Sequence, residues 1–199
     1  MAPKLKVLLA DDEPLNALAL RAQLETLGHE VIGPAPDGRE AVDLARQHPI
    51  DLAILDIHMP GLSGLDAARR IFAVRPVPII VLTGYSDAET ISHAVDAPVF
   101  HFLVKPISID DLPPAISVAR SRFLEWRKFT EEAVTLERKL ENRAVIEQAK
   151  RVLMAVRHFS EPEAYRLLQR ASQSRNQPMV EVARAVLIAQ GLPPDAPDE

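Results

Sequence analysis

Residues 51–56 read Asp-Leu-Ala-Ile-Leu-Asp, a short apolar run closed by a carboxylate. Its length suits a strand buried on both faces. Leu5–Ala10, Glu30–Gly33, Pro78–Gly84 and Val99–Val104 are runs of the same kind, rich in Val and Ile. Between them lie segments with helical spacing. Ala17, Leu20, Leu24 and Leu27 recur at i, i+3, i+7 and i+10, along one face of a helix that stops at Gly28. Gly38–Gln47, Leu65–Ala73 and Asp87–Asp96 supply three further crossovers, and a fifth helix begins near Ile109. Five strands alternating with five helices predict an α/β fold, a doubly wound parallel sheet covered on both faces.

The ends of these runs carry the chemistry. In an open parallel sheet, ligands bind beyond the carboxyl ends of the strands, where the strand order reverses. For the order 2-1-3-4-5 that point lies between the first and third strands. Asp11 and Asp12 end the first strand, Asp56 the third, Thr83 the fourth and Lys105 the fifth. Singly, each has an ordinary explanation: a helix cap, a turn, a strand residue, a surface charge. Jointly, they predict a site. Three carboxylates brought together need a compensating cation. Hard oxygen donors favour Mg2+, which uses one or two carboxylates and keeps several waters. A carboxylate beside such a metal can take a phosphoryl group as an aspartyl phosphate. Lys105 then offers a point charge to the phosphoryl oxygens, and the Thr83 hydroxyl offers a hydrogen bond.

Leu9-Ala-Asp-Asp-Glu, Leu55-Asp-Ile-His-Met-Pro-Gly, Leu82-Thr-Gly and Phe102-Leu-Val-Lys-Pro together resemble the receiver domain of bacterial two-component response regulators, over about residues 4–122. The resemblance implies a flavodoxin-like receiver with Asp56 as phosphoacceptor and a sensor histidine kinase as phosphoryl donor. It implies that Asp11 and Asp12 hold Mg2+ with Asp56 and the backbone carbonyl of His58. It further implies that Thr83 and Lys105 bind the phosphoryl group, that the Lys105–Pro106 bond is cis, and that Phe102 switches rotamer with Thr83. A core Phe on a strand explains Phe102 equally well. Asp96-Ala-Pro-Val departs from the family's usual Gly-Ala turn before the last strand.

The rest of the chain reads as helix. Ile107 to Leu140 is mostly helical, with Pro113-Pro114 tolerable only near its start. Trp126, Phe129, Ala133, Leu136 and Leu140 follow alternating spacings of three and four, a coiled-coil seam that predicts a homodimer through residues 126–140. The alternative is that these residues pack on their own chain. Val145, Ala149, Leu153 and Val156 then share a face. Ser160-Glu-Pro-Glu has the form of a capping box that opens another helix, and Asn176-Gln-Pro separates it from a third, Val180–Gln190. The chain is thus expected to follow its receiver with a long helix and a three-helix all-α domain. Its divisions are a receiver over 1–122, a helical coiled-coil linker over 123–136, an output domain over 137–191, and a Pro-rich acidic, disordered tail over 192–199.

Arg143-Ala-Val-Ile-Glu-Gln-Ala-Lys-Arg-Val-Leu-Met, Ser160 through Ala171 and Val182-Ala-Arg-Ala-Val resemble the ANTAR domain, an RNA-binding antitermination module, over about residues 137–190. The family commonly has Gly where Arg151 stands. Ala149, Leu153, Ala164, Leu168, Ala171, Val182 and Val186 have the size and spacing of a three-helix core. Lys150, Arg151, Arg166 and Arg170 are expected on or near exposed faces, where they could contact phosphates. Tyr165 either stacks on an unpaired base or belongs to the core. Arg143 and Arg157 are weaker candidates.

Charge divides the chain in the same place. Residues 1–119 carry 9 Lys/Arg against 16 Asp/Glu, and residues 120–191 carry 14 against 9. An acidic regulatory half and a basic half that meets a polyanion fit this split. The sequence has no cysteine, so disulfides and thiolate metal sites are excluded. The N-terminus lacks the apolar stretch of a signal peptide, and no window is long enough to span a membrane, so a cytoplasmic protein with no membrane partner is expected. The functional expectation is a phosphorylation-dependent antiterminator that binds RNA hairpins, catalytic only in its own aspartyl phosphorylation and dephosphorylation. The alternatives are a DNA-binding regulator and a protein-interaction switch.

Overall fold

The computed structural model describes residues 3–84 and 97–192. These divide between two compact units, Met1–Arg127 and Lys128–Glu199. The crossover expected at Asp87–Asp96 lies outside the described residues, as does nearly all of the acidic tail.

The first unit is built on five parallel strands, β1 (Lys6–Ala10), β2 (Glu30–Ala35), β3 (Leu52–Asp56), β4 (Ile79–Thr83) and β5 (His101–Val104). Their order is β2-β1-β3-β4-β5, the order assumed for a flavodoxin-like receiver. Alternate residues of each strand face opposite sides of the sheet. Leu8, Ala10, Ala53, Leu55, Ile79 and Val81 join one buried cluster with residues of α2 (Gly38–Gln47) and α3 (Gly64–Val74). Val7, Leu9, Leu52, Ile54, Ile80 and Leu82 join the other, with α1 (Pro14–Thr26) and the first turns of α4 (Leu112–Arg157).

Local chemistry places the helix ends. Pro14 opens α1 and Gly28 follows its end at a φ of +88°. The Asp37 carboxylate accepts from the backbone N–H groups of Arg39 and Glu40 to cap α2, and the Ser63 hydroxyl accepts from Asp66 to cap α3. Leu112, Ala115, Ile116, Ala119 and Phe123 of α4 are buried in the receiver core. Trp126 continues that face. Its ring meets those of Phe72, Phe100 and Phe123, with centroids 4.8, 6.2 and 5.8 Å away. Trp126 therefore packs on its own chain while 38% of its surface stays exposed. Phe129, Leu136 and Leu140 stay exposed, at 69%, 62% and 63%.

The second unit contains the last part of α4 with α5 (Glu161–Arg175) and α6 (Met179–Ala189). One unbroken α4 thus serves as both the long helix and the first helix of the output domain. The Ser160–Glu163 capping box forms as predicted, and Asn176 ends α5 in the left-handed conformation at φ 50°. Val145, Ala149, Leu153, Ala164, Leu168, Val182, Ala183 and Leu187 form the core, with Ala171 and Val186 packed at its edge. The fully buried alanines 149, 164 and 183 let the helices approach closely. Val156, expected on this face, is exposed because the helix ends one residue later. Among the described residues no helix is long and apolar enough to cross a membrane.

Leu168 is 1% exposed at the centre of this small core. Leu168→Ala should destabilise the helical unit by about 2–5 kcal/mol, measured as a lower midpoint in urea unfolding followed by circular dichroism.

Candidate phosphoacceptor and metal site

Parallel register brings the carboxylates together. Ala10 lies opposite Leu55, so Asp11 and Asp56 follow as neighbours beyond the ends of β1 and β3. The Asp11 N–H donates to the Ala35 carbonyl at 3.0 Å, and the Lys105 N–H donates to the Thr83 carbonyl at 2.8 Å. Each ladder therefore runs one residue past its strand, which delivers Lys105 to the same edge. Its Nζ lies 2.8 Å from Asp11 Oδ2 and 3.1 Å from Asp56 Oδ2. The other Asp11 oxygen, Oδ1, accepts from the Glu13 N–H at 2.9 Å, so the loop into α1 is fixed by the same carboxylate.

Asp11, Asp56 and Thr83 are buried, and Asp12 is exposed at the rim. Burial pushes the Asp56 carboxyl above the usual carboxylate range, Lys105 opposes the rise, and the Asp11 and Asp12 charges add to it. Burial also works against the Lys105 charge. The bonds and charges of Asp11 and Asp56 outweigh it, so the ammonium is held more firmly than in water. The Thr83 hydroxyl donates to the Gly84 carbonyl at 3.0 Å. Phe102 is partly buried against the cluster that contains β3 and β4 residues. His58 lies exposed two residues after Asp56, and the Lys105–Pro106 bond is cis.

Carboxylate oxygens of Asp11, Asp12 and Asp56 lie within 4.8 Å of one another. A compact set of hard oxygen donors with one exposed side fits a hydrated Mg2+ better than a nitrogen- or sulfur-seeking metal. One contributor escaped the sequence reading. A Cβ on Gly64 would collide with the Asp56 carbonyl oxygen, and the Gly64 N–H donates to the Ile57 carbonyl at 3.0 Å. A glycine just after a serine cap was the available signal.

The output candidates separate. Arg151, Arg166, Arg170 and Tyr165 are exposed, so Tyr165 is not a core residue. Lys150, expected on an exposed face, is only 6% exposed. Its Nζ lies 2.6 Å from Glu161 and 2.9 Å from Glu147, tying α4 to the start of α5. Those carboxylates, Glu161 first, raise its affinity for its proton.

This sheet edge has the carboxylates and cation of a receiver domain, and comparison with known proteins finds that domain. Residues 7–117 match the response regulator receiver domain, and residues 134–187 match the ANTAR domain. The chain belongs to the response regulators that join a receiver to an ANTAR domain, the RNA-binding antitermination module. It is 43% identical over 190 residues to the transcriptional regulatory protein PdtaR of Mycobacterium tuberculosis, covering 96% of this chain and 93% of that protein. The receiver half alone is 43% identical over 106 residues to a protein-glutamate methylesterase/protein-glutamine glutaminase of Geobacter metallireducens, covering 51% of this chain and 30% of that enzyme. A receiver domain from Clostridium thermocellum superposes with a TM-score of 0.55 at 34% identity, over 59% of this chain and 95% of that one. Receivers thus precede different outputs, and here the output is a regulator's domain.

Removing Lys105 leaves Asp11 and Asp56 without their shared cation. Lys105→Met should lower stability in chelator by about 1–3 kcal/mol, less than for a fully buried pair because 24% of the lysine side chain is exposed. Added Mg2+ should restore more stability to this variant than to the parent. A variant as stable as the parent in chelator would contradict that role.

Proposed function

We propose that the protein is a phosphorylation-dependent, RNA-binding antiterminator. The observation that carries this reading is the Lys105 ammonium, bonded to both Asp11 and Asp56 in a chain that pairs a receiver with an ANTAR domain. An Asp56 oxygen attacks the phosphorus of a histidine kinase's phosphohistidine. The N–P bond breaks, an O–P bond forms, and the imidazole, already protonated on its other ring nitrogen, leaves neutral with the electron pair of the broken bond. A Mg2+ held by Asp11, Asp12, Asp56 and the His58 carbonyl would neutralise phosphoryl oxygens. Lys105 exchanges its carboxylate partner for the new phosphoryl charge, and the Thr83 hydroxyl turns to donate to a phosphoryl oxygen. Phe102 follows Thr83.

On the output side, Arg166 and Arg170 stand one helical turn apart on exposed α5, with Tyr165 beside them. They suit phosphate contact and base stacking. Arg151 extends this set. Lys150 is better read as the clamp between α4 and α5. The seam beyond the ring contacts of Trp126 is Phe129, Ala133, Leu136 and Leu140, which suits pairing with a second copy. Two copies on two hairpins gain affinity through effective concentration. The reading places the protein in the cytoplasm with its kinase and its transcript. Its working boundaries are the receiver over 1–122, the linker over 123–136 and the output domain over 137–191.

Two measurements test this. Asp56→Asn should abolish Mg2+-dependent phosphoryl incorporation, and phosphorylated parent should bind structured RNA more tightly than duplex DNA. Arg166→Ala or Arg170→Ala should reduce the salt slope of RNA binding by roughly 0.7–0.9 if each meets one phosphate. Equal affinity for RNA and DNA would remove the antiterminator reading while leaving the receiver intact.

Pairing has its own test. Burying Leu136 and Leu140 contributes on the order of 1.5–3 kcal/mol each. Changing both to Glu should shift any dimer to monomer in sedimentation, and a parent that stays monomeric with and without phosphorylation refutes the seam.

A further inference from the structure

Several surface arginines of the receiver unit find a carboxylate on their own helix. Arg21 pairs with Glu25, Arg46 with Asp43 and Arg69 with Asp66, at 2.8, 3.2 and 2.9 Å. Arg39 and Arg70 do not. Each has a carboxylate four residues away, Asp43 for Arg39 and Asp66 for Arg70, but Arg46 and Arg69 occupy those. Among the described residues, neither Arg39 nor Arg70 makes an ion pair or hydrogen bond through its side chain.

Arg39, Arg46 and Arg70 line one cleft of about 340 Å³ between α2, α3 and the loop after β3. Buried Val42 and Leu62 give it an apolar floor, and Gly61 turns the loop at its edge with a φ of +74°. Asp43 is the one carboxylate among the lining residues. Three guanidiniums against one carboxylate leave an excess of positive charge, inside a half of the chain that carries 9 cations against 16 anions. Like charges crowded over an apolar floor repel one another unless an anion joins them.

We propose that this cleft binds a compact polyphosphate group, such as that of a nucleoside di- or triphosphate. Guanidinium forks match phosphate oxygens two at a time, and three of them suit several adjoining phosphoryl groups better than a single carboxylate. A cleft of about 340 Å³ suits a small ligand. An RNA backbone leaving the cleft would run onto an acidic domain. The loop that supplies Gly61 and Leu62 begins at Asp56, so a ligand held here touches the same loop as the phosphoacceptor.

The test is calorimetric titration of the full chain with inorganic tripolyphosphate and with ADP, at near-physiological salt and with EDTA present to keep the metal site out of play. One saturable site per chain is expected, weakened tenfold or more by Arg39→Gln and by Arg70→Gln, with Arg21→Gln unchanged. Both substitutions are on exposed helix surface, so circular dichroism should match the parent. Tighter binding of ADP than of tripolyphosphate identifies a nucleotide, and the reverse identifies free polyphosphate. Either supports the proposal. Absence of saturable binding overturns it, as does equal weakening by Arg21→Gln. Loss of RNA affinity in the two variants without any tripolyphosphate binding also overturns it, and would assign the cleft to RNA.

Discussion

Two buried carboxylates from different strands share one ammonium, and the receiver's active edge depends on that bond. Asp11 and Asp56 are neighbours because β1 and β3 are neighbours in register, so their repulsion follows from the topology. Relief comes from β5, two strands beyond β3, through Lys105. The arrangement holds only while the intervening β4 keeps both registers. Fold and chemistry are therefore one constraint: an error of one residue in β4 or β5 would carry the cation away from the acids. In the proposed reaction the same ammonium is already in place when new negative charge arrives, so little reorganisation is needed.

Much of this was legible in the sequence because buried parallel strands leave uninterrupted apolar runs, and four of the five runs here stop at a polar residue of the candidate site. Asp11, Asp56, Thr83 and Lys105 could be placed at one edge once the strand order was assumed. Helical positions were less legible. Phe123 and Trp126 follow the same three-residue step as Trp126 and Phe129, so spacing alone cannot tell a receiver face from a seam between chains. The decision lies in Phe72 and Phe100, distant in sequence, whose rings receive Trp126. Lys150 posed the same difficulty. It stands beside the core positions 149 and 153, and only the turn that brings Glu161 back against α4 encloses it. Gly64 showed only as a glycine after a serine cap, because the atom it must avoid is a backbone oxygen of Asp56.

Among the described residues, the output unit has a core of eight buried side chains, three of them alanines. So small a core gives each helix end unusual weight. The Ser160–Glu163 capping box, the left-handed Asn176 and the Lys150 clamp all act at the ends and turns of helices. Removing Lys150 as a ligand contact leaves a basic surface with less reach near α4 and concentrates it on α5. The exposed residues there are free of packing duties, whereas the alanines are confined by them.

Trp126 is the chain's single tryptophan, and its ring packs against three phenylalanines of the receiver unit. Excited selectively over tyrosine, its emission is an intrinsic optical probe of the packing around it. Loosening of α3, β5 or the first turns of α4 would alter that signal. The molecule thus carries its own spectroscopic label, placed where these elements of the receiver unit meet.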